Sequence, residues 1–256
     1  MSGAWSIGRV AGIPVRLHWS LLALGAFVGL TQGQGALGTL LGAAILFASV
    51  VAHEVAHALT ARTFGIETRD IVLTPIGGIA RLEGMPASGR AEVAIALAGP
   101  IASLALAATA FGATWLLAPA GLAGSVLATL AWSNAMLGLF NLVPAFPLDG
   151  GRVLRGVLHE RIGLRRATDV AASVGRVAAV AMGIVGLFSA SVSLVLIAVF
   201  VWTASGRERA AVDARDRWER LPRAWDAYGR AIPVELVPAA WPTRRPVVVT
   251  WRSDPR

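Results

Sequence analysis

Residues 36–61 read ALGTLLGAAILFASVVAHEVAHALTA, an apolar run in which His53, Glu54 and His57 stand close together. About 20 residues at 1.5 Å each cover the hydrocarbon core of a bilayer, so the length suits a membrane helix while the three ionisable groups do not. On a helix, positions i and i+4 share a face, so both imidazoles can hold one zinc ion while Glu54 reaches the water to be activated. Two helix histidines each bonded to a neighbouring group would show the same spacing, and a pattern of three fixed positions in five recurs by chance. Ionisable side chains are costly in lipid, which favours a metal partner or a water-filled interior for them.

The chain of 256 residues is 55% hydrophobic and 15% charged, with a mean hydropathy of +0.65, the composition of an integral membrane protein. It has no cysteine, which excludes disulfides and thiolate ligands and leaves His, Asp or Glu to hold any metal. All 23 basic residues are arginine and the formal charge is +8, yet their placement speaks for a membrane and against nucleic acid. Apolar segments at 17–31, 36–61, 91–117, 122–143, 169–188 and 190–204 give six spans. The connections TQGQGALG, APAGLAG and SAS carry no charge, while Arg62, Arg69, Arg81, Arg90, Arg152, Arg155, Arg161, Arg165 and Arg166 fall in the alternate ones. The positive-inside rule puts those arginines and both termini in the cytoplasm of a multi-pass cell-membrane protein. A cleaved leader at the first apolar run is rejected, since no clear small-residue cleavage site follows it and its loss would leave five spans. His53 precedes Arg62 by nine residues, which puts the histidines about 14 Å below the cytoplasmic surface.

Two imidazoles leave a tetrahedral zinc in need of a third protein ligand, and Asp149 in NLVPAFPLDGGR is the candidate. Pro144 and Pro147 break the fourth span there, and Gly150 and Gly151 allow a tight turn beside the carboxylate. Without the histidines, the same stretch would read as a helix-ending turn whose Asp caps the next segment. The segment WSIGRVAGIPVRLHW alternates as an extended or interfacial strand. RDIVLTPIGGIARLEG reads as a strand, a turn at Gly77-Gly78 and a second strand. The edge of that hairpin could pair with an unwound peptide, or the hairpin could be purely structural, and the two readings stay open. Gly99 and Pro100 interrupt the third span; the small residues around them favour helix packing over a chemical role. His18 is left outside the site.

The expected fold is an all-α integral membrane protein of six transmembrane helices with a small membrane-associated β-hairpin or sheet after the second. Residues 1–204 form the membrane domain and 205–256 a charged, proline-containing cytoplasmic tail. Its first part is a candidate amphipathic helix carrying Trp218, Trp225 and Tyr228, and residues 231–256, with five prolines, are expected to be extended or floppy.

Taken together, HEVAH, LTPIGGIARLEG, EVAIALAGPIAS and FNLVPAFPLDGGR resemble the site-2 protease family of intramembrane zinc metalloproteases, a resemblance that covers about residues 10 to 204. It implies one zinc ion per chain held by His53, His57 and Asp149, with Glu54 as the catalytic acid/base. It also implies that Asn141 lies near the active site, where its amide holds the substrate strand or stabilises an oxyanion; from the residues alone, helix-to-helix hydrogen bonding serves equally well. The implied substrate is a membrane protein with a transmembrane segment, such as an anti-sigma factor or another membrane-tethered regulator. The tail is too short for the paired cystathionine-β-synthase-type modules of some relatives, and no loop has room for a PDZ domain. Two alternatives stand beside this reading. A catalytically silent relative that binds membrane proteins would be expected to lack Glu54 or a ligand, and a metal transporter would need polar groups reaching towards both surfaces. Oligomeric state is not specified by the sequence.

Overall fold

The computed structural model describes residues 3–32, 36–74 and 77–228. The chain opens with strands β1 (Ala4–Val10) and β2 (Ile13–His18), followed by helices α1 (Trp19–Gln32) and α2 (Ala36–Thr63). Strands β3 (Thr68–Thr74) and β4 (Gly77–Leu82) come next, and then helices α3 (Gly89–Leu117), α4 (Gly121–Asn141), α5 (Asp149–Ile162), α6 (Leu164–Phe188) and α7 (Val192–Tyr228). Among the described residues, four helices are long and apolar enough to cross a membrane, namely Leu37–Thr63, Gly89–Leu117, Gly121–Asn141 and Leu164–Phe188. The first of the six expected spans corresponds to α1, only 14 residues long, and the sixth to the apolar beginning of α7.

The expected hairpin is half of a four-stranded sheet in the order β1-β2-β3-β4. The N-terminal segment read as one strand folds back at Ala11 and Gly12, whose φ values of 51° and 84° suit the two-residue hairpin turn that requires positive φ at both positions. β2 then pairs in parallel with β3. Parallel neighbours need a long crossover, and here α1 and α2 supply it, so the helix pair that includes the histidines starts and ends at the same sheet. Gly77 and Gly78 are not the turn: they are the first residues of β4, paired with Thr74 and Leu73. The connecting residues 75 and 76 lie outside the described set.

One feature holds the sheet against α2 and another holds its strands together. Ile13, Val15, Ile71 and Leu73 are buried together with Val50 and Ala58, so the inward side chains of the two central strands meet α2. Within the sheet, Asp70 is 3% exposed and is paired with Arg81 of β4 and with Arg16 of β2 at 3.5 Å. One buried carboxylate thus links three strands, and its hydrogen bond to Arg81 pushes that guanidinium further into the basic range.

Helix α3 begins at Ser88, whose hydroxyl accepts from the Ala91 N–H at 3.2 Å, an N-cap that satisfies one otherwise free donor. It continues through the buried Pro100 as one helix. The compact unit Met1–Ala214 contains all of these elements up to the first part of α7; Arg215–Arg256 forms a second unit. The boundary expected at residue 204 therefore falls inside α7, and the proline-rich stretch 231–256 lies outside the described residues.

Candidate metal centre

His53 and His57 project from one face of α2, one turn apart, and Asp149 meets them from the first residue of α5. His53 Nε2 lies 3.0 Å from Asp149 Oδ2 and 3.0 Å from His57 Nε2, and His57 Nε2 lies 3.1 Å from the same carboxylate oxygen. All three side chains are buried.

Asp149 arrives there because the chain between α4 and α5 folds back on itself. Ala145 N–H donates to Val143 O and Leu148 N–H to Ala145 O, with a cis peptide between Phe146 and Pro147. The two glycines that follow are a steric requirement. A Cβ on Gly150 would collide with the carbonyls of Leu142 and Val143, and one on Gly151 would fall 2.7 Å from Phe146 N. The carboxylate also sits at a helix N-terminus, where the peptide dipoles favour negative charge.

Helix α3 fixes the rings. His57 Nδ1 lies 2.6 Å from the backbone carbonyl of Ile95. A carbonyl only accepts, so Nδ1 carries the proton and Nε2 of the neutral ring presents a lone pair to the centre. His53 Nδ1 lies 2.9 Å from Ser103 Oγ, a hydroxyl that can accept and so lets His53 hold the same tautomer. Gly99 stands between these two contacts, so Ile95, Gly99 and Ser103 form one stripe of α3 at four-residue spacing. A Cβ at Gly99 would lie 2.6 Å from His53 Nε2 and would collide with His57 Nε2.

With these tautomers, two imidazole nitrogens and a carboxylate oxygen converge as acceptors with no proton among them, an arrangement that a divalent cation relieves. A tetrahedral zinc with bonds of roughly 2.0–2.1 Å needs donors about 3.3 Å apart, close to the separations seen here. The donor set, two nitrogens and one oxygen with ring orientation fixed from behind, therefore fits zinc.

The remaining sequence candidates are placed as follows. Glu54, half-buried on α2, packs against β4: a Cβ on Gly78 would lie 2.8 Å from Glu54 Cγ. Asn141 ends α4 and donates from Nδ2 to Leu137 O at 2.9 Å, one turn back along its own helix. His18 pairs with Ser20 Oγ at 2.6 Å through Nδ1. A cavity of about 260 Å³ has Ala80 and Leu82 of β4, Ile95 and Ala96 of α3 and Arg152 of α5 among its walls.

Sequence reasoning missed Ile95, Ser103 and the steric role of Gly99. The spacing from Gly99 to Ser103, equal to that from His53 to His57, was the available signal for two of them. One turn before His53 on α2, the buried Ser49 receives a hydrogen bond from Asn134 Nδ2 at 2.8 Å. This polar contact joins α2 to α4.

Comparison with known proteins gives a consistent picture. The family model for peptidase family M50 matches residues 41–119 and 116–182. A zinc metalloprotease of Methanocaldococcus jannaschii is 34% identical over 214 residues, which cover 83% of this chain and 62% of that protein. Rip3 of Mycobacterium tuberculosis, whose name describes a zinc metalloprotease, is 35% identical over 240 residues, covering 84% of this chain and 61% of its own length. The chain thus spans somewhat less than two thirds of these curated relatives. The solved site-2 protease from Methanocaldococcus jannaschii superposes with a TM-score of 0.64 at 34% identity, covering 80% of this chain and 95% of that one.

Proposed function

The chain belongs to peptidase family M50, the site-2 protease family, and from that premise we propose that it is an intramembrane zinc endopeptidase acting on membrane-bound proteins. The observation that carries the reading is the convergence of His53 Nε2, His57 Nε2 and Asp149 Oδ2 within 3.1 Å, with both rings held from α3. In this reading these three residues hold the zinc. Zinc, when bound, is a Lewis acid that polarises a carbonyl and makes water acidic near neutral pH.

The chain's own residues supply the rest. Glu54, next to His53 on α2, takes the proton from the attacking water and delivers it to the leaving amine. Gly78 leaves the room that its side chain occupies. A substrate helix hides its peptide groups in its own hydrogen bonds, so the segment to be cut must first unwind. β4 ends the sheet order, and its outer edge offers free backbone groups beside Glu54 to such an extended strand. Asn141, with its amide resting on its own helix, is positioned by this reading to turn towards the bound strand or an oxyanion.

The arginine pattern supports six crossings, with α1 and the beginning of α7 completing the four long helices, both termini cytoplasmic, and residues 205–256 as the cytoplasmic tail. The substrates are proteins with a transmembrane segment, membrane-tethered regulators among them. In the decisive experiment a Glu54→Gln variant retains zinc by elemental analysis but fails to cut a co-expressed membrane substrate. Undiminished cleavage would sink the proposal. Membrane proteomics comparing that variant with the wild type should identify the substrate as an uncut protein that accumulates.

A further inference from the structure

Arg155 takes no part in the chemistry above, yet it is 4% exposed and engaged on three sides. Its Nε donates to Glu92 Oε1 at 2.6 Å and its Nη2 reaches the same oxygen at 2.5 Å. Its Nη1 donates to Glu208 Oε2 at 3.0 Å. The third neighbour is apolar: the guanidinium carbon lies 5.0 Å from the centroid of the Phe146 ring, within the range of a cation–π contact. A buried ion pair is weak ground for stability, because well-packed apolar residues of similar volume often serve as well or better. Its use here must lie in what it fixes.

The elements it joins are those that build the metal centre. Glu92 is in the first turn of α3, one turn before the Ile95 carbonyl that holds His57. Phe146, fully buried, is three residues before Asp149. Glu208 belongs to α7, and one turn earlier Ser205 donates from its hydroxyl to the Phe146 carbonyl at 3.2 Å. Between α3 and α5 there is no adjustable side chain at the closest approach: a Cβ on Gly156 would fall 2.7 Å from Gly89 O. The guanidinium is a planar fork with fixed donor directions, so α5 cannot slide along α3 without breaking it. Any such slide would move the Asp149 carboxylate relative to the imidazoles that α3 orients.

The geometry points to Arg155 as a positioning residue of the metal centre: clamped by Glu92 and Glu208 and stacked on Phe146, it sets Asp149 in register with the groups that orient His53 and His57. The beginning of the charged segment after residue 204 then forms part of the scaffold of the site. This inference rests on the zinc reading, and its test separates the two.

Full-length protein in detergent is stripped of metal, and its Zn²⁺ affinity is measured against a competing chelator. Co²⁺ is then added as a second probe, whose visible absorption reports ligand geometry. Arg155→Lys keeps the charge and loses the fork; it is expected to weaken Zn²⁺ binding by about tenfold or more and to alter the Co²⁺ spectrum. Glu208→Gln should move both readings the same way by a smaller amount. Arg165→Gln, which breaks the exposed pair with Asp213 between α6 and α7, should bind like the wild type. A folded Arg155→Lys protein with affinity within twofold of wild type and an unchanged Co²⁺ spectrum overturns the inference. If Arg155→Lys does not fold, unchanged readings in Glu208→Gln overturn it instead. A loss in Arg165→Gln as large as in Arg155→Lys also overturns it, since any loosening of α7 would then suffice. A wild type without Zn²⁺ affinity overturns the proposed function itself.

Discussion

At the scale of single residues, the centre depends on groups whose importance lies in hydrogens and space. Ser103 Oγ supports His53 Nδ1 from 2.9 Å, and a Ser103→Ala substitution is expected to lower zinc affinity about tenfold while the fold persists, because such supporting contacts are commonly worth ten- to a hundredfold. Competition with a chelator measures this; an unchanged affinity would show that His53 needs no partner. Gly99→Ala should be more severe, since its Cβ would occupy the space between the two imidazoles. Purified Gly99→Ala protein is expected to contain little zinc, and full occupancy would show that α3 can draw back. The grouping of His53 and His57 with Asp149 was legible in the sequence because a metal-ligand pattern is written in residue type and spacing. The Ile95 carbonyl was not, since every residue has one and only the crossing of α2 with α3 selects it. Gly99 was read as a packing residue; what its small size leaves free is the space in front of both ring nitrogens.

At the scale of elements, β4 and α5 bring distant parts of the chain to α2. Gly78→Ala would push on Glu54 Cγ and Val50 Cγ1, each 2.8 Å from the new atom. On the proposed reading, the expected result is normal zinc content with a kcat that falls about tenfold or more, as small misplacements of a reacting group commonly cost that much. A normal kcat would show that Glu54 can rearrange freely. The four long apolar helices were readable from hydropathy because length and apolarity are local properties; α5, short and charged, carries no such signal. The sheet was readable only in part. Strand patterns at 68–82 were visible, but the parallel pairing of β2 with β3 joins segments separated by two helices, and no local pattern encodes a partner that far along the chain. A Gly-Gly pair usually marks a turn, but here the strand residue at 78 is glycine because its neighbours on α2 leave no room for a side chain.

At the scale of the whole molecule, metal and membrane become global properties. A ligand that binds only the folded chain stabilises it by mass action, about 2.7 kcal/mol at a hundredfold excess over Kd, so chelation should lower the thermal midpoint and added zinc restore it. An unchanged midpoint would mean the centre forms no part of the folded state's stability. The absence of cysteine makes topology directly testable. In intact cells, a single cysteine at Ala120 should react with a membrane-impermeant thiol reagent, and one at Ala87 should react only after permeabilisation. Equal labelling of both in intact cells would overturn the proposed orientation. One further consequence follows from the 92 and 96 residues that separate Asp149 from His57 and His53. Neither the stretch before the short connection at Ala118–Ala120 nor the stretch after it holds a complete donor set, so a gene divided there would encode two harmless halves. On the proposed reading, proteolysis would begin only when the halves meet in one membrane, which makes that connection a natural place to put the activity under external command.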